Sequence, residues 1–169
     1  MCVMNSMMHL AISTPGRICL FGEHQDYLYL PVIPAAISLR IRIEGRRRSD
    51  SLVRLSLPDI NSEESFRLDE NLQYNKKRDY FKSVVNVLHR RGFEFLCGFD
   101  CEVRSRIPIQ AGTSSSSALN VGWTHFLTRM SEHAVTLTPE VIARYAHEAE
   151  VIEFNEPGGM MDHLSTAFG

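Results

Sequence analysis

The sequence predicts an α+β domain, because strand-like segments fill the first third of the chain and helix-like segments fill its last third. Apolar residues alternate with polar ones at 40–44 and at 52–57. Apolar residues recur at helical spacing over 81–88 and again over 119–130. With 169 residues, 44% of them hydrophobic, the chain can form one compact domain, so we expect a single domain over 1–169 with a poorly defined start at 1–11.

The first part of the chain is predicted to form short strands joined by tight turns. Residues 10–43 are rich in Ile, Leu, Val and Phe and are interrupted by Gly16, Gly22 and Pro31. Residues 45–79 are polar and irregular apart from the alternating run at 52–57. The β-rich part is therefore expected to end in a loop.

Three helices and one strand are expected in the remainder. The apolar residues at 81–88 share one helical face, and Gly92 follows as a helix stop. Residues 95–109 alternate as a strand, and a glycine–serine segment then leads into a second helix that its serines could cap. A third helix is expected to begin at 138–140, Thr-Pro-Glu, and to end at the glycine pair 158–159.

Charge and cysteine content narrow the classes of partner. The chain has 18 basic and 20 acidic residues, so no nucleic acid or anionic membrane partner is expected. The start, 1–10, lacks the basic and apolar regions of a signal peptide, and no stretch approaches the roughly 20 apolar residues that cross a bilayer. The four cysteines form neither a Cys-x-x-Cys pair nor a zinc pattern, which favours reduced thiols. We therefore expect a soluble, cytoplasmic protein with small-molecule or protein partners.

A small-residue segment between a predicted strand and a predicted helix is the strongest functional signal. Residues 109–118 read Ile-Gln-Ala-Gly-Thr-Ser-Ser-Ser-Ser-Ala. Small residues let the backbone approach a ligand, and free N–H groups at a helix start attract anions such as phosphate. The segment matches neither Gly-x-x-x-x-Gly-Lys-Ser nor Gly-x-Gly-x-x-Gly. A flexible linker or a capped turn would have the same composition, so phosphate binding is a hypothesis at this point.

Polar residues cluster immediately after an apolar strand near the start of the chain. Residues 16–27 read Gly-Arg-Ile-Cys-Leu-Phe-Gly-Glu-His-Gln-Asp-Tyr. The run from Glu23 to Asp26 could hydrogen-bond several hydroxyl groups at once, as a site for a polyol would. A polar hairpin turn is the alternative interpretation.

Two acidic residues near the end of the chain could meet in space. Glu150 lies on the third predicted helix, and the glycine pair 158–159 can turn the chain so that Asp162 points back toward it. An ordinary glycine turn with solvated acids is the alternative. A zinc site built on His147 and His163 is disfavoured, because their spacing matches no familiar ligand pattern.

Taken together and in this order, the three segments resemble the motifs of the GHMP small-molecule kinases. Residues 16–27 are similar to the galactokinase signature Gly-Arg-Val-Asn-Leu-Ile-Gly-Glu-His-Thr-Asp-Tyr. Residues 108–118 resemble the phosphate loop Pro-x-x-x-Gly-Leu-Ser-Ser-Ser-Ala. Residues 149–163 resemble Ala-Glu-His-x-Phe-x-Gly-x-x-Cys-Gly-x-Met-Asp-Gln, and the likeness as a whole runs from about residue 12 to residue 169.

The resemblance implies an ATP-dependent sugar kinase that uses Mg²⁺ and phosphorylates the anomeric hydroxyl of a hexose, with galactose as the first candidate. Asp162 matches the residue that takes or orients the hydroxyl proton, and Arg17 matches the arginine beside it. The positions that match sugar contacts are Glu23, His24, Asp26 and Gly159. The positions that match the ATP phosphate loop are Gly112, Thr113, Ser114, Ser115, Ser116 and Ser117. The positions that match the Mg²⁺ ligands are Ser116 and Glu150.

The resemblance also implies the family's amino-terminal domain, a ribosomal-protein-like fold with a left-handed β-α-β unit. Nothing in the sequence corresponds to the family's ferredoxin-like carboxy-terminal domain, so a separate carboxy-terminal half is an expected partner. Thr113 and Ser117 stand where the family usually has Leu and Ala, which leaves Mg²⁺ ligation by Ser115 or Ser117 open.

Three departures leave the identity of the sugar open. The family's Gly-Gly after the Asp-Tyr pair is missing from 28–31, Gly158 replaces a Cys, and His163 replaces a Gln. A mevalonate-type kinase is the enzyme alternative, although those kinases generally lack the acid found here at Asp26. A non-catalytic galactokinase-like sugar sensor, or an inactive fragment, is the alternative from a different class.

Overall fold

The computed structural model describes residues 9–68, 71–108 and 111–169, and within them a five-stranded mixed sheet carries the helices. The strands are β1 (His9–Phe21), β2 (Ile33–Arg47), β3 (Leu52–Leu57), β4 (Ser62–Arg67) and β5 (Phe99–Ser105). Their order across the sheet is β1-β2-β5-β3-β4, and all neighbours are antiparallel except β3 and β5. The chain passes between that parallel pair through β4 and the first helix.

The described residues contain four α-helices, one before β5 and three after it, and together with the sheet they confirm the α+β prediction. They are α1 (Tyr80–Arg90), α2 (Ser115–Met130), α3 (Pro139–His147) and α4 (Met161–Phe168). A π-helical segment, Glu148–Ile152, continues α3, and short 3₁₀ turns occur at Asp26–Leu28 and Pro58–Ile60. Among the described helices, none has both the length and the apolar character needed to cross a membrane.

The core lies between the sheet and α2, where aromatic rings pack against one another. Trp123 stacks on Phe126 at a centroid distance of 5.4 Å, and Phe99 meets Phe126 edge-on at 5.8 Å. The Trp123 indole N–H donates to the Phe81 carbonyl at 3.0 Å, which joins α2 to α1. Full burial of each such side chain contributes about 1.5–3 kcal/mol. This packing fixes α2 on the sheet and thereby fixes the segment at its amino terminus.

The strands differ from the sequence prediction in length and number. β1 is a single long strand that continues through Gly16, because a register shift between Pro15 and Arg17 lets its ladder with β2 continue there. Gly22 and Pro31 do lie between β1 and β2, where the chain turns. β4 forms within the predicted loop as an edge strand, which needs few apolar residues because one side faces solvent. The strand predicted at 95–109 is shorter, Phe99–Ser105, and residues 109–110 lie outside the described residues.

Two further predictions need correction. A fourth helix, α4, follows the glycine pair, and its eight residues are too few for a helical pattern to stand out in the sequence. Cys19 and Cys101 are free thiols, but Cys97 is disulfide-bonded, so the prediction of reduced thiols is wrong there. Spacing along the chain tests only local pairs, whereas a disulfide requires only that two cysteines be close in space. The predicted poorly defined start falls largely on residues 1–8, which lie outside the described residues.

Candidate active site

The candidate site is organised around Arg17, which follows the first register shift in β1. Gly16 allows β1 to approach the segment before α2, since a Cβ there would lie 2.9 Å from the Thr113 carbonyl oxygen. The backbone N–H of Arg17 donates to that same oxygen at 3.2 Å. The Arg17 side chain turns inward and is only 6% exposed.

The Arg17 guanidinium connects three parts of the predicted site. Its Nε donates to Asp162 Oδ1 at 2.7 Å, its Nη1 to the Gly112 carbonyl at 2.8 Å, and its Nη2 to Glu23 Oε1 at 3.2 Å. Burial by itself lowers the pKa of Arg17, but the hydrogen bond and charge of Asp162, together with the charge of Glu23, raise the pKa overall. The guanidinium is thus a permanent cation in a fixed orientation.

Asp162 is held at both of its carboxylate oxygens. Oδ1 accepts from Arg17, and Oδ2 accepts from the Ser114 hydroxyl at 2.6 Å. Ser114 has a left-handed backbone (φ 54°) at the start of α2, and its side chain makes no capping hydrogen bond there. The prediction that serines cap this helix is therefore wrong for Ser114, whose hydroxyl orients Asp162 instead.

The first turn of α2 has the features of an anion site. The first i→i−4 hydrogen bond of the helix runs from the Ala118 N–H to the Ser114 carbonyl. The N–H groups of Ser115, Ser116 and Ser117 precede it, so helix geometry gives them no acceptor within α2. They lie at the positive end of the dipole of a 16-residue helix, where phosphate binds favourably.

The predicted sugar-contacting residues lie in a tight turn after β1. Gly22 has φ 89°, and the Gln25 N–H donates to the Gly22 carbonyl at 3.0 Å. Asp26 Oδ2 accepts from the Met161 N–H at 3.1 Å, so this turn is tied to the start of α4. A Cβ on Gly159 would lie 2.1 Å from the same Asp26 oxygen. The polar run is thus a turn, as the alternative interpretation held, but one that is docked against α4.

Glu150 lies in the π-helical segment and is buried. Its Oε2 accepts from His163 Nε2 at 2.8 Å, and the His163 side chain is 2% exposed. The His147 ring meets the His163 ring edge-on at 5.1 Å and lies 3.2 Å from the Gly158 carbonyl, and burial lowers the pKa of His147. The described residues contain no cluster of three or more His, Cys, Asp or Glu side chains that could hold a metal by themselves.

One cavity of about 240 Å³ collects most of the predicted residues. Those lining it are Arg17, Glu23, His24, Asp26, Ser116, Ser117, Glu150, Gly159 and Asp162. Glu150 and Asp162 both line this cavity, which agrees with the prediction that they meet in space. Of the remaining predicted residues, Gly112, Thr113 and Ser114 contact Arg17 or Asp162 as described above, and Ser115 lines a neighbouring cavity.

That neighbouring cavity, of about 270 Å³, is mainly apolar. Its apolar lining consists of Ile41, Leu57, Ile60, Phe81, Val103 and Leu119. Arg78, Tyr80 and Ser116 line both cavities, so the two adjoin at the first turn of α2. Sequence reasoning missed Arg78, because it lies in a polar loop without a recognisable pattern, and it missed the contact of His163 with Glu150.

Two family models match the chain. The model described as the GHMP kinases N terminal domain matches residues 79–169, which include α2 and Asp162. The model described as the galactokinase galactose-binding signature matches residues 5–47, which include Arg17 and the turn after β1.

Individual relatives agree with these matches. A galactokinase of Roseiflexus sp. is 33% identical over 95% of this chain, which spans 41% of that relative. The crystal structure of Lactococcus lactis galactokinase complexed with galactose has a TM-score of 0.86 and 25% identity, over 99% of this chain and 44% of that one. The crystal structure of Methanococcus jannaschii mevalonate kinase shares the fold, with a TM-score of 0.82 and 24% identity. The match covers 96% of this chain and 52% of the mevalonate kinase chain. The chain thus spans less than half the length of the galactokinases it matches.

Proposed function

The chain belongs to the GHMP kinase family, and we propose that it is the amino-terminal part of an ATP-dependent sugar kinase. In this proposal the γ-phosphoryl group of ATP is transferred to the anomeric hydroxyl of a hexose, with galactose as the first candidate. The observation that carries the proposal is Asp162, which is held between Arg17 and Ser114 at the meeting point of an anion-binding helix start and a polar turn. The galactose-binding signature over 5–47, and relatives named as galactokinases, support a sugar as the acceptor.

The two adjoining cavities fit the two substrates. The polar cavity has hydrogen-bonding groups at Glu23, His24 and Asp26 that suit the hydroxyls of a sugar. The apolar cavity suits an adenine ring, and it opens beside Ser115 and Ser116, whose backbone N–H groups would receive the phosphates. The γ-phosphate would then lie where the cavities meet.

The oxygen donors of this chain fit Mg²⁺ that arrives with the nucleotide. Ser116 and Glu150 line the same cavity and offer a hydroxyl and a carboxylate, which are hard ligands. Mg²⁺ typically uses one or two protein ligands together with phosphate oxygens and waters, so a site without a full protein ligand set is compatible with it. When bound, the ion would neutralise charge on the phosphate oxygens. Ser115 or Ser117 could replace Ser116 as the hydroxyl ligand.

The chain's own residues suit the demands of phosphoryl transfer, which are mainly alignment and charge stabilisation. Asp162 would accept the proton of the sugar hydroxyl or orient that hydroxyl toward the phosphorus. Arg17 would hold the carboxylate in place and offset the negative charge that develops nearby. Glu23, His24, Asp26 and Gly159 would set the position of the sugar.

A coupled ADP-release assay on the complete reading frame tests this function. The substrate panel contains galactose, other hexoses, pentoses, uronic acids and mevalonate, each with Mg²⁺ and ATP. We expect ADP release to be stimulated most by galactose. Stimulation by mevalonate instead would favour the mevalonate-type alternative, and sugar binding without ADP release would favour the sensor.

A further inference from the structure

Arg78 lies where the polar and the apolar cavity adjoin. Together with Tyr80 and Ser116 it lines both the polar and the apolar cavity. A phosphate chain that joins a base in one cavity to an acceptor in the other must pass these three residues. Arg78 is the cation among them.

The backbone at Arg78 is fixed although its side chain is exposed. The next residue, Asp79, is buried; its carboxylate accepts from the Asn75 N–H at 3.1 Å and lies 3.3 Å from the Lys82 ammonium. The Asp79 carbonyl accepts from the Ser83 N–H at 2.9 Å in the first turn of α1. The Arg78 side chain is 52% exposed and so can change its partner without disturbing this anchor.

The lining of the polar cavity has more carboxylates than guanidinium groups, so an anionic ligand there needs a cation that is not already fully paired. Among the described residues, this lining includes five carboxylates, Glu23, Asp26, Glu150, Glu156 and Asp162, and two guanidinium groups. Arg17 is one of these, and its side chain already donates to three protein acceptors. Arg78 is the other, and it pairs with a single carboxylate, that of Glu156.

The Glu156 carboxylate contacts the Arg78 guanidinium in the same geometry that a phosphate group would use. Nε lies 3.1 Å from Oε1 and Nη2 lies 2.7 Å from Oε2, a two-pronged contact that carboxylate and phosphate both make with arginine. The hydrogen bond from Glu156 raises the pKa of Arg78, so the group is always charged. An exposed ion pair is weak in water, and a polyphosphate carries more charge than a carboxylate.

We propose that Arg78 binds the phosphate chain of the nucleotide where the two cavities meet, and that Glu156 occupies its guanidinium until the nucleotide arrives. Glu156 is then a competitor of the phosphate, and its carboxylate returns to solvent when the nucleotide binds. This inference rests on the proposed function, since it takes ATP as the ligand.

The test is binding of the ATP analogue AMP-PNP, with excess Mg²⁺, to the product of the complete reading frame and to its variants by isothermal titration calorimetry. Arg78→Gln is expected to weaken binding about tenfold, the low end for losing hydrogen bonds to a charged group. Glu156→Gln is expected to tighten binding about two- to fivefold, because it removes an exposed ion-pair competitor. Arg78→Lys, which keeps the charge but not the fork, should fall between Arg78→Gln and the unsubstituted protein.

Arg104→Gln is the matched control, because Arg104 makes a similar two-pronged contact with Glu102 on β5 and lines neither cavity. Its affinity for AMP-PNP should equal that of the unsubstituted protein. If the ion pair were merely structural, Arg78→Gln and Glu156→Gln would weaken AMP-PNP binding to the same extent. That result, or unchanged binding in both variants, overturns the inference and leaves the proposed function intact. If the unsubstituted protein does not bind AMP-PNP, the proposed function fails, and the inference fails with it.

Discussion

The substitution Asp162→Ala separates the chemical role of this carboxylate from its structural one. The change removes the acceptor of two hydrogen bonds, from Arg17 Nε at 2.7 Å and from the Ser114 hydroxyl at 2.6 Å. Arg17 keeps its contacts with the Gly112 carbonyl and with Glu23, so its buried charge is not left alone. Each hydrogen bond to a charged group is worth about 1.5–3 kcal/mol, so the loss of two is expected to lower the free energy of unfolding by about 3–6 kcal/mol.

The effect on activity is separate from this effect on stability, because kcat is measured on the folded protein. A positioned general base contributes about 10²–10⁴ in rate, and Arg17 also loses the partner that orients it, so kcat should fall by about 10³ or more. The residues proposed to contact the sugar, Glu23, His24 and Asp26, do not include Asp162, so the Kd for galactose should change by no more than about threefold. Coupled ADP release gives kcat, calorimetry gives Kd, and thermal unfolding gives the stability term.

Two companion variants sharpen this test. Asp162→Asn keeps the shape and one acceptor oxygen for Arg17, so it should recover most of the stability but little of the activity. Asp100→Ala removes a carboxylate that pairs with Arg48 at 2.6 Å and that does not line the polar cavity, so kcat should not change. If Asp162→Ala keeps kcat within about tenfold of the unsubstituted protein, the assignment of Asp162 to proton transfer or hydroxyl orientation is wrong.

Gly159, His163 and His147 each have a close neighbour or buried setting whose loss should be measurable. Gly159→Ala would place a Cβ 2.1 Å from Asp26 Oδ2, so we expect calorimetry to show at least about tenfold weaker sugar binding. His163→Ala removes the hydrogen-bond donor that holds Glu150. Mn²⁺ binding, measured by electron paramagnetic resonance with ADP present, should therefore weaken about tenfold, and His163→Gln should recover part of that affinity. Equal Mn²⁺ affinity in the unsubstituted protein and both variants would contradict this role of His163. Burial lowers the pKa of His147 below its ordinary value of 6.5, so the unfolded chain binds a proton at this residue more readily than the native protein does. The neutral His147 therefore contributes to the free energy of unfolding in full above about pH 6.5, and this contribution should fall as the pH is lowered. His147→Gln should flatten that part of the stability profile in urea titrations, and an unchanged slope would contradict the assignment.

The elements that the sequence predicted well are those with a strong local signal. The apolar periodicity of α1 and α2 is set by burial against one core, so both helices appear where the pattern places them. β4 was missed because an edge strand has few apolar residues, and α4 was missed because eight residues after a glycine pair carry too little pattern. The π-helical segment around Glu150 follows from packing and has no sequence signature that we recognised.

Most residues that line the candidate site could be predicted from the sequence, but their contacts could not. The motifs at 16–27, 112–117 and 150–162 supplied Arg17, the helix start and the two carboxylates, and the structure brings them to adjoining cavities. The hydroxyl of Ser114 was expected at a helix cap, but the left-handed backbone at that residue directs it to Asp162. The pairing of His163 with Glu150 depends on how α4 packs against the π-helical segment, which only the tertiary structure shows.

The most direct test of the proposed function is the identity of the phosphorylated product. The complete reading frame is incubated with galactose, ATP and Mg²⁺, and the product is examined by ³¹P and ¹H nuclear magnetic resonance. The arrangement of Asp162, Arg17 and the α2 amino terminus at one end of the polar cavity predicts a single new phosphate signal coupled to the anomeric proton of galactose. A phosphate on any other hydroxyl, or ATP left unconsumed while galactose binds, would contradict it.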